Sequence, residues 1–350
     1  MGKVIFGKRY VVILCSLIIM VGFLLTLAPK AISAEKVINW NFSLWGGKRA
    51  WSAPLHDWVA DMEKKTNGRW KIKLHYGGVL APPKENYDGI KAGMFEAAGI
   101  CSAYTPGKNP LHTVSELPFI APNENKDIIQ MMVELWKHPA FKKELLKWNA
   151  VPLLPSALCQ YHLMGNKPVR TVEDLKGARI RIGGLQAKVL KEFGAVPTLV
   201  PAPEVYEAVS RGTIDLVGFP WTYSYGSYKT YEVSKYVSLP MSLGTMSCFY
   251  IANKDAWDAL PEEFKKYHME WYNRSPEIWA AEFKKADDKW IPIFKKRLEF
   301  IDFPKSERDK IVAKAKPIYE SWVKDREKEG LPGREILNYY LKKRKELTGN

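Results

Sequence analysis

Few side chains in this chain sit at spacings that would let them act together chemically. The six histidines (His56, His75, His112, His138, His162 and His268) are scattered without metal-ligand spacing. No phosphate-cradling Gly-x-Gly-x-x-Gly loop, Gly-x-Ser-x-Gly elbow or His-Glu-x-x-His zinc motif is present. Acidic residues are plentiful but follow helical surface patterns, so no carboxylate pair stands out for acid–base work. These absences count against an enzyme, although a triad assembled in space leaves no such spacing. What does stand out is Ala178-Arg179-Ile180-Arg181-Ile182. A period of two sends the isoleucines to one side of a strand and both arginines to the other. A guanidinium meets a carboxylate through two parallel charge-assisted hydrogen bonds and stays charged when desolvated. On residue types alone, either arginine reads equally well as an anion-binding group or as an exposed surface charge.

The elements that would position such a group alternate between strand and helix, which favours an α/β architecture. Strands are expected over 37–42, over the alternating Trp70, Ile72, Leu74 and Tyr76, and over 97–103, 158–164, 178–182, 213–217 and 246–252. Leu55, Trp58, Val59 and Met62 recur at helical spacing, and further helices are expected over 126–137, 140–148 and 203–211. From Pro261 to Phe300 the helical pattern is nearly continuous. Forty residues of helix would reach roughly 60 Å, more than one small domain, with Pro276 and Pro292 expected to kink or break it. No repeat or low-complexity linker is visible, so two lobes joined by crossing strands are expected.

The N-terminus bears on the compartment. Lys3, Lys8 and Arg9 precede an uncharged stretch from Tyr10 to Pro29, and Ala31, Ser33 and Ala34 precede Glu35. This reads as a secretory signal peptide over residues 1–34, cleaved near residue 34, with a periplasmic product. The stretch is also long enough for an uncleaved anchor. Removal leaves 316 residues and lowers the formal charge from +15 to +11, since the leader holds four basic residues and no acids. The remaining basic residues fall mostly in helical pairs such as Lys142-Lys143 and Lys295-Lys296, which read as solvated faces. With export, they argue against a nucleic-acid partner. Cys101, Cys159 and Cys248 lie in apolar, strand-like contexts and, being odd in number, read as small buried residues ahead of the alternative of one pair plus a free thiol.

Several stretches, in their order, resemble the extracytoplasmic solute-binding proteins of TRAP transporters, the DctP-like family. They are Lys65-Thr-Asn-Gly68, Gly89-Ile-Lys-Ala-Gly93, Leu117-Pro-Phe119, Val172-Glu-Asp-Leu-Lys-Gly-Ala-Arg-Ile-Arg-Ile182, Phe193-Gly-Ala-Val-Pro197, Glu204-Val-Tyr-Glu-Ala208, Arg211-Gly-Thr-Ile-Asp215, Val233-Ser-Lys-Tyr236 and Ile251 to Pro261. The match covers about residues 37–300. The resemblance implies a two-lobed, periplasmic-binding-protein-like α/β fold with a long helix spanning both lobes. Lobe I would hold 35–158 plus 249–285, and lobe II 159–248 plus 286–350. It also implies capture of a small organic acid by the arginine of the Lys-Gly-x-x-Ile-Arg strand, which is Arg181, and delivery to a TRAP-type membrane permease. No catalysis, cofactor or metal is expected.

Two departures from the family pattern shape the expected site. A second arginine of the family aligns with His162, a candidate hydrogen-bond donor whose contact with a ligand would make affinity fall between about pH 6 and 8. After Asp215 the chain reads Leu216-Val-Gly-Phe219-Pro220-Trp221, where many members carry a polar residue. Phe219 and Trp221 would make the site more apolar. Trp45 and Tyr104, in loops after strand signals, fall where clefts of this fold are lined. Together these residues point to a carboxylate with an apolar or aromatic body. A binding protein for an ATP-driven importer shares the general design without these motifs, and a secreted enzyme would need a constellation that the sequence does not display.

Overall fold

The computed structural model describes residues 36–349, and the leader expected over 1–34 lies outside the described residues. Two sheets organise the chain. The first contains β1 (Ile38–Ser43), β2 (Trp70–His75), β3 (Ala97–Cys101), β4 (Ala150–Leu154) and β10 (Cys248–Asn253), in the order β2-β1-β3-β10-β4. The second contains β5 (Tyr161–Gly165), β6 (Arg179–Arg181), β7 (Val196–Thr198), β8 (Leu216–Pro220), β9 (Tyr236–Leu239) and β11 (Glu299–Asp302), in the order β11-β9-β5-β8-β6-β7. This is the two-lobed α/β architecture. Edge strand β2 alternates buried Trp70 and Ile72 with exposed Lys71 and Lys73. The central strand β3 (Ala-Ala-Gly-Ile-Cys) is buried throughout because both of its faces are covered. The helix Pro54–Lys65 buries Leu55, Trp58 and Met62, the apolar stripe expected from their spacing, and begins with a proline where no N–H is needed.

Two crossing segments join the lobes side by side. Tyr161 N donates to the Gly244 carbonyl (2.8 Å), Leu243 N to the Tyr161 carbonyl (3.0 Å) and Gly244 N to Gln160 Oε1 (3.1 Å). The long helical region breaks at Asn273 and Arg274 into Glu262–Tyr272 and Ser275–Arg297. The break precedes Pro276, which restricts the backbone before it and sits in the first turn of the second helix. Pro292 lies inside that helix without ending it. The 23-residue helix is about 34 Å long and packs on the helix Asn125–Lys137 of the first lobe and on Tyr223–Ser227 of the second. The final helix, Gly333–Thr348, packs on Asn125–Lys137 as well, with Tyr339 Oη donating to the Glu134 carbonyl (3.0 Å). The C-terminal segment therefore runs from the second lobe back to the first.

Three local readings change. β8 spans 216–220 rather than 213–217, because Thr213 N (3.0 Å) and Ile214 N (3.2 Å) close the preceding helix on the Ala208 carbonyl. The shift puts Phe219 inside the strand. β11 replaces the expected end of the long helix: Glu299 N pairs with the Lys235 carbonyl (2.9 Å), and the strand runs parallel to β9. Cys101 and Cys248, opposite each other on β3 and β10, form a disulfide instead of remaining separate buried thiols, while Cys159 is buried and free.

Candidate functional site

Between the lobes lies a cavity lined by Arg181, Phe219, Tyr161 and Tyr228 from the second lobe and by Trp45, Arg49 and Tyr104 from the first, with the Cys101–Cys248 disulfide in its wall. Arg181 ends β6, where the strand period turns it to the same face as its register partner Val217 on β8. It is only 3% exposed. Its Nε donates to the Val200 carbonyl (2.9 Å) and its Nη1 to the Gly218 carbonyl (3.2 Å), which fixes the fork. Its central carbon sits 4.5 Å from the centre of the Phe219 ring, a cation–π contact in a desolvated place. Phe219 is itself held by Tyr225, whose hydroxyl accepts the Phe219 N–H (3.0 Å) and donates to the His162 carbonyl (2.6 Å). Arg179, on the same strand, is an exposed residue paired with Asp215 through Nε (3.0 Å).

The first lobe supplies a rigid aromatic wall. Trp45 packs at a tilt, 4.5 Å from Trp51, which stacks at 4.6 Å on Tyr250. The Trp51 carbonyl accepts from Tyr250 Oη (2.6 Å) and from Trp279 Nε1 (2.8 Å) of the long helix. Gly99 on β3 makes room for this stack, since a Cβ there would come within 2.8 Å of Trp51 and 3.1 Å of Trp45. Tyr104 Oη accepts the Ala202 N–H (3.2 Å), a hydrogen bond from one lobe to the other. Gly46, at φ +65°, lets Tyr228 of the second lobe approach: a Cβ would lie 2.7 Å from the Tyr228 hydroxyl.

Of the six candidate residues, Arg181, Phe219, Trp45 and Tyr104 share this cavity, while His162 and Trp221 do not line it. His162 is 6% exposed, and its Nδ1 accepts the N–H groups of Met241 (3.1 Å) and Ser242 (3.3 Å). Burial, reinforced by the nearby Arg308 charge, lowers its pKa to about 3, so the ring is neutral and is an acceptor at Nδ1. Trp221 packs on His162, Tyr225, Phe294 and Phe300, within the second lobe. Sequence reasoning missed Arg49, Tyr161 and Tyr228. Arg49 is 8% exposed and donates from Nη1 to the carbonyls of Trp45 (2.9 Å) and Gly47 (3.0 Å). Its only sequence signal is the pair of tryptophans, Trp45 and Trp51, that bracket it.

Electrostatically the cavity is one-sided. Among the described residues no Asp or Glu lines it, and every hydrogen bond made by either guanidinium ends on a backbone carbonyl. Burial raises the Tyr228 pKa while the Arg49 and Arg181 charges act against it, so its hydroxyl lies in the field of both. The space between the side chains is about 30 Å³, room for a water rather than a ring. A larger occupant needs the walls to move. Among the described residues there is no His, Cys, Asp and Glu group able to hold a metal ion. What the arrangement offers is a desolvated fork for an acid group beside flat apolar surfaces.

Comparison with known proteins places this cleft in a family. A family model described as bacterial extracellular solute-binding protein, family 7, matches residues 45–325, a stretch that holds every cavity residue named above. The outer membrane transporter protein TsaT of Comamonas testosteroni is 24% identical over 292 residues, which cover 81% of this chain and 84% of that protein. A TRAP solute-binding protein from a marine metagenome, specific for aromatic acid ligands and solved with 3-hydroxybenzoate, has TM-score 0.79 and 21% identity, covering 89% of this chain and 99% of that one. One from Rhodoferax ferrireducens, solved with copurified benzoate, has TM-score 0.77 and 23% identity, covering 89% and 98%. Such likeness shows the fold, whereas the family match spans most of the sequence. This chain belongs to the bacterial extracellular solute-binding proteins of family 7, which are binding proteins of transport systems and not enzymes.

Proposed function

We propose that this protein captures a small organic acid with an apolar or aromatic body between its lobes and delivers it, unchanged, to a TRAP-type membrane permease. The observation that carries this reading is the Arg181 guanidinium, buried over Phe219 and facing a cavity lined, among the described residues, by no acidic side chain. A buried cation without a counter-charge is costly, and a carboxylate ligand supplies the missing partner. The lobes part about the crossing segments at Gln160–Tyr161 and Leu243–Gly244, the acid pairs with Arg181, and closure expels water and strengthens the pair. Phe219, Trp45 and Tyr104 act as walls that select the body of the ligand. His162 and Trp221 hold the second lobe together and are given no ligand role.

The aromatic acids bound by two proteins of the same fold support the choice of ligand class. Work outside the cytoplasm follows from the family, and the leader-like N-terminus supports export to the periplasm with cleavage near residue 34. No helix among the described residues is long and apolar enough to cross a membrane. The test is native mass spectrometry of protein purified without denaturation, paired with a thermal-shift panel. The expected result is one retained acid per chain, chemically intact, and stabilisation by aromatic monoacids. Stabilisation by sugar acids or C4-dicarboxylates alone would reject the proposed ligand class.

A further inference from the structure

The cavity holds two unpaired guanidinium groups, and one acid group neutralises only one of them. Arg49 comes from the loop after β1, across the cleft from Arg181. Its central carbon lies 5.4 Å from the Trp45 ring centre, 4.9 Å from Trp51 and 5.8 Å from Tyr228. Tyr228 stacks on Phe219, with centres 5.6 Å apart and planes 28° apart, and the Arg181 central carbon lies 4.5 Å from the Phe219 ring centre. One positive charge thus lies against each ring of the pair, Arg181 at Phe219 and Arg49 at Tyr228. Beside them the Tyr228 hydroxyl is buried without a hydrogen-bond partner among the described residues. Arg49 also lines a second, neighbouring pocket with Lys48, Lys285, Lys289 and Glu282. A buried polar group left unpaired, like an unbalanced buried charge, is costly unless a ligand completes it.

We propose that the ligand carries acidic groups at both ends of a flat apolar body, an aromatic diacid held by Arg181 at one end and by Arg49 with the Tyr228 hydroxyl at the other. This rests on the reading of the cleft as an organic-acid site and narrows it. Two negative charges between two positive ones leave the closed cleft neutral, whereas a monoacid leaves one buried cation unmatched. Trp45 and the Phe219–Tyr228 stack supply flat surfaces for the body.

Calorimetric titration with benzoate, benzene-1,3-dicarboxylate and benzene-1,4-dicarboxylate tests this on the full-length secreted protein and on Arg49→Gln, Arg49→Lys and Arg181→Ala. The expected result is that one of the dicarboxylates binds at least roughly tenfold more tightly than benzoate. Arg49→Gln weakens that dicarboxylate by a factor at least several-fold larger than it weakens benzoate, Arg49→Lys restores part of the difference, and Arg181→Ala weakens all three acids. The inference is overturned if benzoate binds as tightly as both dicarboxylates. It is overturned equally if Arg49→Gln and Arg49→Lys weaken benzoate and dicarboxylate by the same factor, since Arg49 would then act only on the shape of its loop. Full binding by Arg181→Ala would instead overturn the organic-acid site itself.

Discussion

The His162 ring is tied to the turn at Met241 and Ser242 by two N–H groups that converge on a single nitrogen. That tie leaves the ring no proton to offer a ligand at Nδ1 and makes it a structural acceptor. Ligand affinity should therefore stay flat between pH 6 and 8. The fold should instead feel the residue. With its pKa lowered from 6.5 to about 3, the unfolded chain binds the proton first, so stability is fully present above about pH 6.5 and is lost as pH falls towards 3. His162→Ala should cost about 1–3 kcal/mol by leaving those N–H groups unpaired. Denaturant melts from pH 4 to 8 and a titration series over pH 6 to 8 check both halves.

Glu116 should show the opposite sign. It is buried near the Ser247 backbone, and its Oε1 has no partner among the described residues. Burial raises its pKa from 4.5 to about 8, so the native state holds a proton that the unfolded state has released. Stability should fall as pH rises from about 4.5 to 8, and Glu116→Gln should remove that slope, gaining on the wild type by on the order of a few kcal/mol at pH 8. Parallel wild-type and mutant melts read the difference directly.

Phe219→Leu tests the aromatic wall. Removal of the ring beneath Arg181 should weaken binding of an aromatic acid by roughly tenfold. An aliphatic acid of the same charge should lose less. Equal losses for both would assign Phe219 to packing alone.

The disulfide is also open to a direct count. Thiol labelling in denaturant without reductant should find Cys159 and neither Cys101 nor Cys248. Reduction should lower stability by about 2–4 kcal/mol, because the bond closes a loop of 147 residues in the unfolded chain.

How far the sequence reached depends on range. Arg181 and Phe219 were legible through the ordered family motifs, because the strand period alone leaves Arg181 and Arg179 alike and the expected strand stops at 217, short of Phe219. The long helix and its break were legible because a helix's period is local and Pro276 acts on its immediate neighbours. Arg49 was not. It follows Gly46-Gly47-Lys48 in a loop with no strand or helix period to mark a buried face, and its burial comes from Trp51, and from Tyr228 far along the chain. His162 was placed on the right strand, but the groups that claim its ring come from a turn that no spacing announces. The Cys101–Cys248 pair and the neighbouring strands β9 and β11 depend likewise on sheet order, which the linear pattern does not carry.

The central claim is that a fixed guanidinium on β6 captures the acid group, and titration of Arg181→Ala with an aromatic acid that stabilises the wild type tests it most directly. Loss of one partner of a buried ion pair costs about 3–5 kcal/mol. Affinity should therefore fall by roughly 10²–10³-fold or more, with the fold retained and Arg181→Lys recovering only part, since an ammonium lacks the two-pronged geometry. Unchanged affinity in a folded Arg181→Ala protein would contradict the account.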